Sequence, residues 1–154
     1  KESLAIVHGK FEHERGEIDL PLGNAGDAEM RIRQGVRRDG KGSPAKTLYE
    51  VREKLGDSTF IQAKIITGRT HQIRVHMTEI GHPVFCDELY GREGRIYADE
   101  IVPGRPHDIL IDRQALHAEK LTFEHPVSNE RITLTAPLPE DMERLLVVLR
   151  KIGG

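Results

Sequence analysis

Residues 68 to 83 run Gly68-Arg69-Thr70-His71-Gln72-Ile73-Arg74-Val75-His76-Met77-Thr78-Glu79-Ile80-Gly81-His82-Pro83, and few local structures suit that order. A glycine turn leads in, Thr70 can cap a helix, and Ile73, Met77 and Ile80 recur at helical spacing until Gly81, a residue that suits a helix C-terminus. The spacing predicts a helix over 70–81, roughly three turns long. On such a helix His71, Arg74 and Thr78 share the side away from the apolar stripe. Arg74 is therefore expected to be presented rather than packed. An arginine in that position is ordinarily a solvated surface residue, so the helix alone specifies no chemistry.

The longer string does. Gly68-Arg69-Thr70-His71-Gln72-Ile73-Arg74-Val75-His76, followed by Ile80-Gly81-His82-Pro83-Val84 and by Asp87-Glu88-Leu89-Tyr90-Gly91, resembles the signature of the RluA-type RNA pseudouridine synthases. Other segments resemble the same family in the same order: Leu4 to Gly9 with Gly16 to Leu22, Pro44 to Val51, Arg113 to Ala118, His125-Pro126, and Ala136 to Met142. The resemblance implies an α+β fold with a mixed, mostly antiparallel sheet, a central helix and a C-terminal helix. Residues 1–154 would form the C-terminal portion of a catalytic domain. It also implies isomerisation of uridine to pseudouridine in structured RNA, rRNA or tRNA, by one catalytic aspartate, an arginine paired with it and a tyrosine near the base, with no metal and no cofactor.

By that resemblance Arg74 falls at the aspartate-pairing arginine. Arg69, Thr70, His71, Gln72, Tyr49 and Leu116 become substrate-binding candidates, Leu116 as an apolar wall. Two departures stand beside these matches. The family's "H-R-L-D"-like motif occurs nowhere in the sequence, and its tyrosine position is Ser3. Asp87 is the best substitute carboxylate within the chain, but it matches a structural motif of the family. The expected reading is half of an active site, with the aspartate carried upstream. The alternative is a non-catalytic RNA-binding or scaffold module of the same fold.

A net charge of −2 gives no global sign of nucleic-acid binding, so a local patch must supply it. Between residues 31 and 46 six cations, Arg31, Arg33, Arg37, Arg38, Lys41 and Lys46, face one acid, Asp39. Such a run is commonly a solvated loop, yet in an acidic chain it can neutralise phosphates, and RNA is the expected partner. Residues 23 to 46, with glycines at 23, 26, 35, 40 and 42, show no apolar periodicity and are read as loop. No membrane segment and no signal-peptide pattern is evident, and a cytoplasmic location is expected. Cys86, the single cysteine, excludes an internal disulfide and is read as a small buried hydrophobe. His71, His76, His82, Cys86 and Asp87 crowd one span, but His71 and His76 lie five apart, off one helical face, and no paired-cysteine or HExxH pattern is present, so no metal site is expected.

The remaining elements follow from pattern. A strand is expected in residues 1–9, another through Ile18, Leu20 and Leu22, and a hairpin from Thr47–Val51 to Thr59–Thr67 around Gly56-Asp57. Residues 91 to 108 read as loop and 109 to 118 as a turn or short helix. Two strands then flank Ser128-Asn129, and a helix starting at Pro139-Glu140-Asp141 buries Leu145, Val148, Leu149 and Ile152. Hydrophobic content of 37% is modest for a domain that stands alone. An open sheet flank, exposing apolar surface and favouring self-association, is expected.

Overall fold

The computed structural model describes residues 1–25 and 33–153. In chain order the elements are β1 (Glu2–His8), β2 (Arg15–Asp19), β3 (Leu22–Asn24), β4 (Gln34–Val36), β5 (Lys46–Lys54), β6 (Ser58–Ile65) and α1 (Gln72–Glu79). They continue as β7 (Ile96–Tyr97), α2 (Ala98–Ile101), β8 (Ile109–Ile111), β9 (Leu116–Glu124), β10 (Arg131–Thr135) and α3 (Glu140–Gly153). Six strands form the main sheet in the order β10-β9-β1-β6-β5-β2, each antiparallel to its neighbour. The expected α+β architecture, with helices at the central motif and the C-terminus, is what the chain adopts.

β1 is the most apolar strand and sits inside the sheet; Leu4, Ala5, Ile6 and Val7 are all buried. Its run of consecutive apolar residues reflects burial on both faces. Ser3 lies between Ala63 of β6 and Ala118 of β9, so these three side chains share a face. The same face, followed by alternation along the strands, carries Ile61, Thr47 and Ile18 towards the core. β5 and β6 form the expected hairpin, turned at Gly56 with φ of 73°, a left-handed conformation suited to glycine.

Several local readings are corrected. β2 stops at Asp19, and Leu22 opens a separate ribbon, β3 with β4, inside the segment read as loop. Three-residue strands centred on glycine leave no alternation to detect. Residues 91–108 contain β7 and the short α2, and 109–118 contain β8 and the start of β9 in place of a helix. Helix α3 buries Met142, Leu145, Leu146, Val148 and Leu149, but Ile152 in its last turn is 56% exposed. An Arg150 fork to Glu53, at 2.7 and 2.9 Å, ties that end to β5.

Helix α1 starts later than predicted. His71, not Thr70, is the capping residue, with φ of 55°, and no side chain bonds the first amides. The C-terminal signal was correct: Gly81, φ 91°, donates to Thr78 O and His82 donates to Met77 O, which closes the helix in a Schellman motif. Ile73 and Met77 are buried, whereas Ile80 is 36% exposed. Val75 is buried under the β3–β4 ribbon, and Gln72 and His76 are buried against β5, where both bond Thr47. A helix buried on two sides does not display a single apolar stripe.

Candidate active site

A cleft of about 320 Å³ opens where the N-terminal end of α1 meets β1, β6 and β9. Ser3, Arg69, His71, Gln72, Arg74 and Leu116 line it, together with Lys1, Ile65, Ile73, Gln114 and Ala118. The structure thus brings five of the seven catalytic and substrate-binding candidates together. Thr70 is exposed and outside the lining. Tyr49 is elsewhere on β5, its ring tilted against Phe11 at 5.0 Å and facing Gly16 of β2.

Arg74 is not a free guanidinium. Its Nε and Nη2 donate to the two carboxylate oxygens of Asp87 at 2.7 and 2.8 Å, and its side chain is only 12% exposed. Presentation without packing is therefore corrected to a forked, half-buried ion pair. Asp87 has no exposed surface and accepts two further bonds, from the amides of Leu89 and Tyr90. Burial pushes the Asp87 carboxyl up, but the Arg74 fork and the two amides outweigh it and hold the group below the usual carboxylate range. With four donors and no exposure Asp87 cannot reach a substrate; it orients Arg74. Nη1 takes no part in the fork, and Arg74 also lines a second cleft beyond Gln114 with Cys86, Glu88 and Arg113.

The turn that carries Asp87 depends on a close backbone approach. Gly91 donates to Asp87 O at 2.8 Å, and a Cβ at Gly91 would stand 2.7 Å from that oxygen and 2.9 Å from Val84 O. Tyr90, on the same turn, places its ring 5.1 Å from the Arg74 guanidinium and its hydroxyl 2.8 Å from His71 Nδ1. Burial first, and the Arg74 charge second, push the His71 imidazole below its ordinary value, so it is neutral at neutral pH.

Gln72 has a different task from the one expected. Its side chain is buried; Nε2 donates to Lys46 O and Thr47 Oγ1, and Oε1 accepts from Thr67 Oγ1 and the Arg69 amide. Every position of the amide is used in fixing the helix entry against β5. His76 continues the network, with Nδ1 2.8 Å from Thr47 Oγ1 and Nε2 donating to Leu20 O. The three histidines of that span are thus spent separately, His71 on Tyr90, His76 on Thr47 and Leu20 O, and His82 on His8 O, and among the described residues no group of three or more His, Cys, Asp or Glu converges. Cys86 is buried, and its thiol is pushed up to about 12 by burial, with nearby carboxylates adding, so it is no nucleophile.

Among the described residues, Arg33, Arg37, Arg38 and Lys41 lie in or beside the ribbon and Lys46 on β5, and three of these five cations already have partners. Arg37 bonds Asn24 O and Asp39, Arg38 lies 3.5 Å from Glu79, and Lys46 lies 3.2 Å from Glu17 and 4.0 Å from Asp19. Lys41 is exposed, and Arg33 stands over Tyr90 at 5.7 Å. Arg31 lies outside the described residues. Asp87 and Tyr90 are the structural partners that spacing missed as site residues; their only sequence signal was the Asp87-Glu88-Leu89-Tyr90-Gly91 string itself.

The class that this fold and site define is an α+β domain whose antiparallel sheet carries a cleft with a helix-borne arginine fork. The family model described as RNA pseudouridylate synthase matches residues 1–79. The chain is 43% identical over 149 residues to the uncharacterized RNA pseudouridine synthase YlyB of Bacillus subtilis, covering 97% of this chain and 44% of that protein. It is 42% identical over 151 residues to ribosomal large subunit pseudouridine synthase D of Nitrosomonas europaea, covering 97% of this chain and 40% of that one. Among solved structures, human RNA pseudouridylate synthase domain containing 1 superposes with a TM-score of 0.65 at 27% identity, over 97% of this chain and 65% of that one. The chain belongs to the RNA pseudouridylate synthase family. It spans less than half the length of these curated relatives.

Proposed function

We propose that residues 1–154 are the C-terminal portion of a pseudouridine synthase catalytic domain and that the whole protein converts uridine to pseudouridine in RNA. The observation that carries this reading is the cleft in which Arg74, held by Asp87, meets Leu116 and Ser3. The reaction needs the ribose C1′ to uracil N1 bond broken and C1′ rejoined to C5, on a base flipped into a pocket. Arg74 offers the edge not used by Asp87 to a carboxylate brought in by the upstream part of the protein, keeping it ionised and oriented. Leu116 and Ile73 give the base an apolar wall. Ribosomal RNA is the substrate suggested by the name of the Nitrosomonas europaea relative, and a cytoplasmic location suits that substrate.

Rejoining at C5 displaces the C5 hydrogen, which supplies the test. The full-length protein should release tritium from ribosomal RNA labelled at uracil C5. Absence of release from both rRNA and tRNA would leave the non-catalytic RNA-binding module as the better reading.

The ribbon is the proposed RNA contact. Exposed ion pairs such as Arg38–Glu79 are worth little and exchange readily for phosphate. Replacing Arg31, Arg33, Arg37 and Arg38 together should make the log–log salt slope of RNA binding shallower by roughly 3, since each phosphate contact contributes about 0.7–0.9. A slope that does not move would return this segment to an ordinary solvated surface.

One face of β9–β10 remains uncovered. Leu121 pairs with Leu134 and Phe123 with Ile132, and Leu121, Phe123 and Leu134 are 44%, 38% and 55% exposed. This face supports self-association of the 154-residue chain, and upstream residues of the whole protein would compete for it. Sedimentation velocity should show a concentration-dependent dimer for residues 1–154 and a monomer for the full-length protein. A 154-residue chain that stays monomeric at all concentrations would contradict it.

A further inference from the structure

Besides the exposed Arg38–Glu79 pair, the β3–β4 ribbon reaches α1 by two routes. One is apolar: Leu22 and Ala45 pack with Val75, and Val36 and Tyr90 close around them. The other is a single hydroxyl. Tyr90 Oη accepts the backbone N–H of Gln34, the first residue of β4, at 2.8 Å, and lies 2.8 Å from His71 Nδ1. A phenol has one proton, so with Gln34 donating to it Tyr90 donates to His71, whose remaining ring proton is then on Nε2. The Tyr90 ring meanwhile stands over Arg74 on the helix at 5.1 Å and over Arg33 on the ribbon side at 5.7 Å.

We propose that Tyr90 is a positioning residue that docks the basic ribbon onto the arginine-bearing helix and so holds it ready for an RNA backbone. This rests on the ribbon being an RNA contact. Ordering the ribbon before RNA arrives lowers what binding must spend on ordering it, so the hydroxyl acts on affinity without touching a phosphate. It also fixes the distance between the phosphate contacts and the cleft, since the same oxygen bonds β4 and the residue that caps α1.

Y90F removes the oxygen and keeps the ring over Arg74. Amide exchange by NMR on the wild-type and Y90F proteins should show the Gln34 amide exchanging about tenfold faster, as suits loss of one hydrogen bond. The Leu89 amide, bonded to Asp87, should keep its rate. In the same two proteins the Kd for a uridine-containing RNA hairpin should rise about fivefold at every salt concentration, with the salt slope unchanged, because no phosphate contact is removed. Unchanged Gln34 exchange would overturn the proposal. So would weaker binding with a shallower slope, which would mean that Tyr90 itself meets the RNA. Wild-type protein that binds no hairpin would overturn the RNA reading of the ribbon instead; the two failures are told apart because Gln34 exchange would still respond to Y90F.

Discussion

Replacing Asp87 with alanine should lower the stability of the chain by about 3–5 kcal/mol, as measured by urea unfolding at neutral pH. The substitution leaves the half-buried Arg74 guanidinium without its fork and the amides of Leu89 and Tyr90 without their acceptor. Arg74→Ala should cost a similar amount, since it strands a carboxylate that has no exposed surface. Because both variants break one pair, the double variant should lose less than the sum of the two. Single losses below about 1 kcal/mol, or strict additivity, would mean that the pair is no more than a surface contact.

The same pair has an acid signature. The folded-state value of Asp87 lies below its unfolded value of about 3.9, so its stabilisation is complete above that pH and is lost as pH falls through the folded value. This changes how Arg74 must be tested for a role in catalysis. An inactive Arg74→Ala protein could simply be unfolded. Arg74→Lys keeps a charge beside Asp87 but cannot fork, and its stability should be measured alongside its turnover.

How far the sequence discloses this arrangement differs from feature to feature. The β5–β6 hairpin, the Gly81 stop and the α3 core positions Leu145, Val148 and Leu149 were legible because periodicity and glycine chemistry are local. The partner of Arg74 was not, since Asp87 is thirteen residues away across an irregular turn and no spacing rule connects them. The inward turn of Gln72 and His76 was not legible either, for a different reason. Polar residues on a helix ordinarily face water, and here the partners that β5 supplies, Lys46 O and Thr47 Oγ1, turn these two inward. The family motif could be recognised as a string, but the string does not reveal which of its members face the cleft and which hold the helix in place.

The inward-facing members make the second large prediction. Thr47 is fully buried; its hydroxyl receives the Gln72 amide at 3.0 Å and bonds His76 Nδ1 at 2.8 Å. With Nε2 donating to Leu20 O, the neutral ring has Nδ1 as an acceptor, so Thr47 donates to it. Thr47→Val preserves shape and removes both functions, leaving a donor and an acceptor buried and unpaired, at about 1–3 kcal/mol each. A total loss of about 2–6 kcal/mol is expected, whereas Thr47→Ser, which keeps the hydroxyl, should lose about 1 kcal/mol for its missing methyl. Burial pushes His76 below its ordinary value, only partly opposed by Leu20 O and Asp19. The unfolded chain therefore binds this proton more readily, and stability should decline as pH falls below about 6.5, the unfolded histidine value. His71, shifted in the same direction, adds to that slope. H76Q, whose amide can serve both neighbours without titrating, should flatten the decline between about pH 6.5 and pH 5. Equal stabilities for the valine and serine variants would show that this hydroxyl carries no weight in seating α1, and the Gln72–Thr47–His76 chain would then be an incidental contact rather than the seat of the arginine-bearing helix.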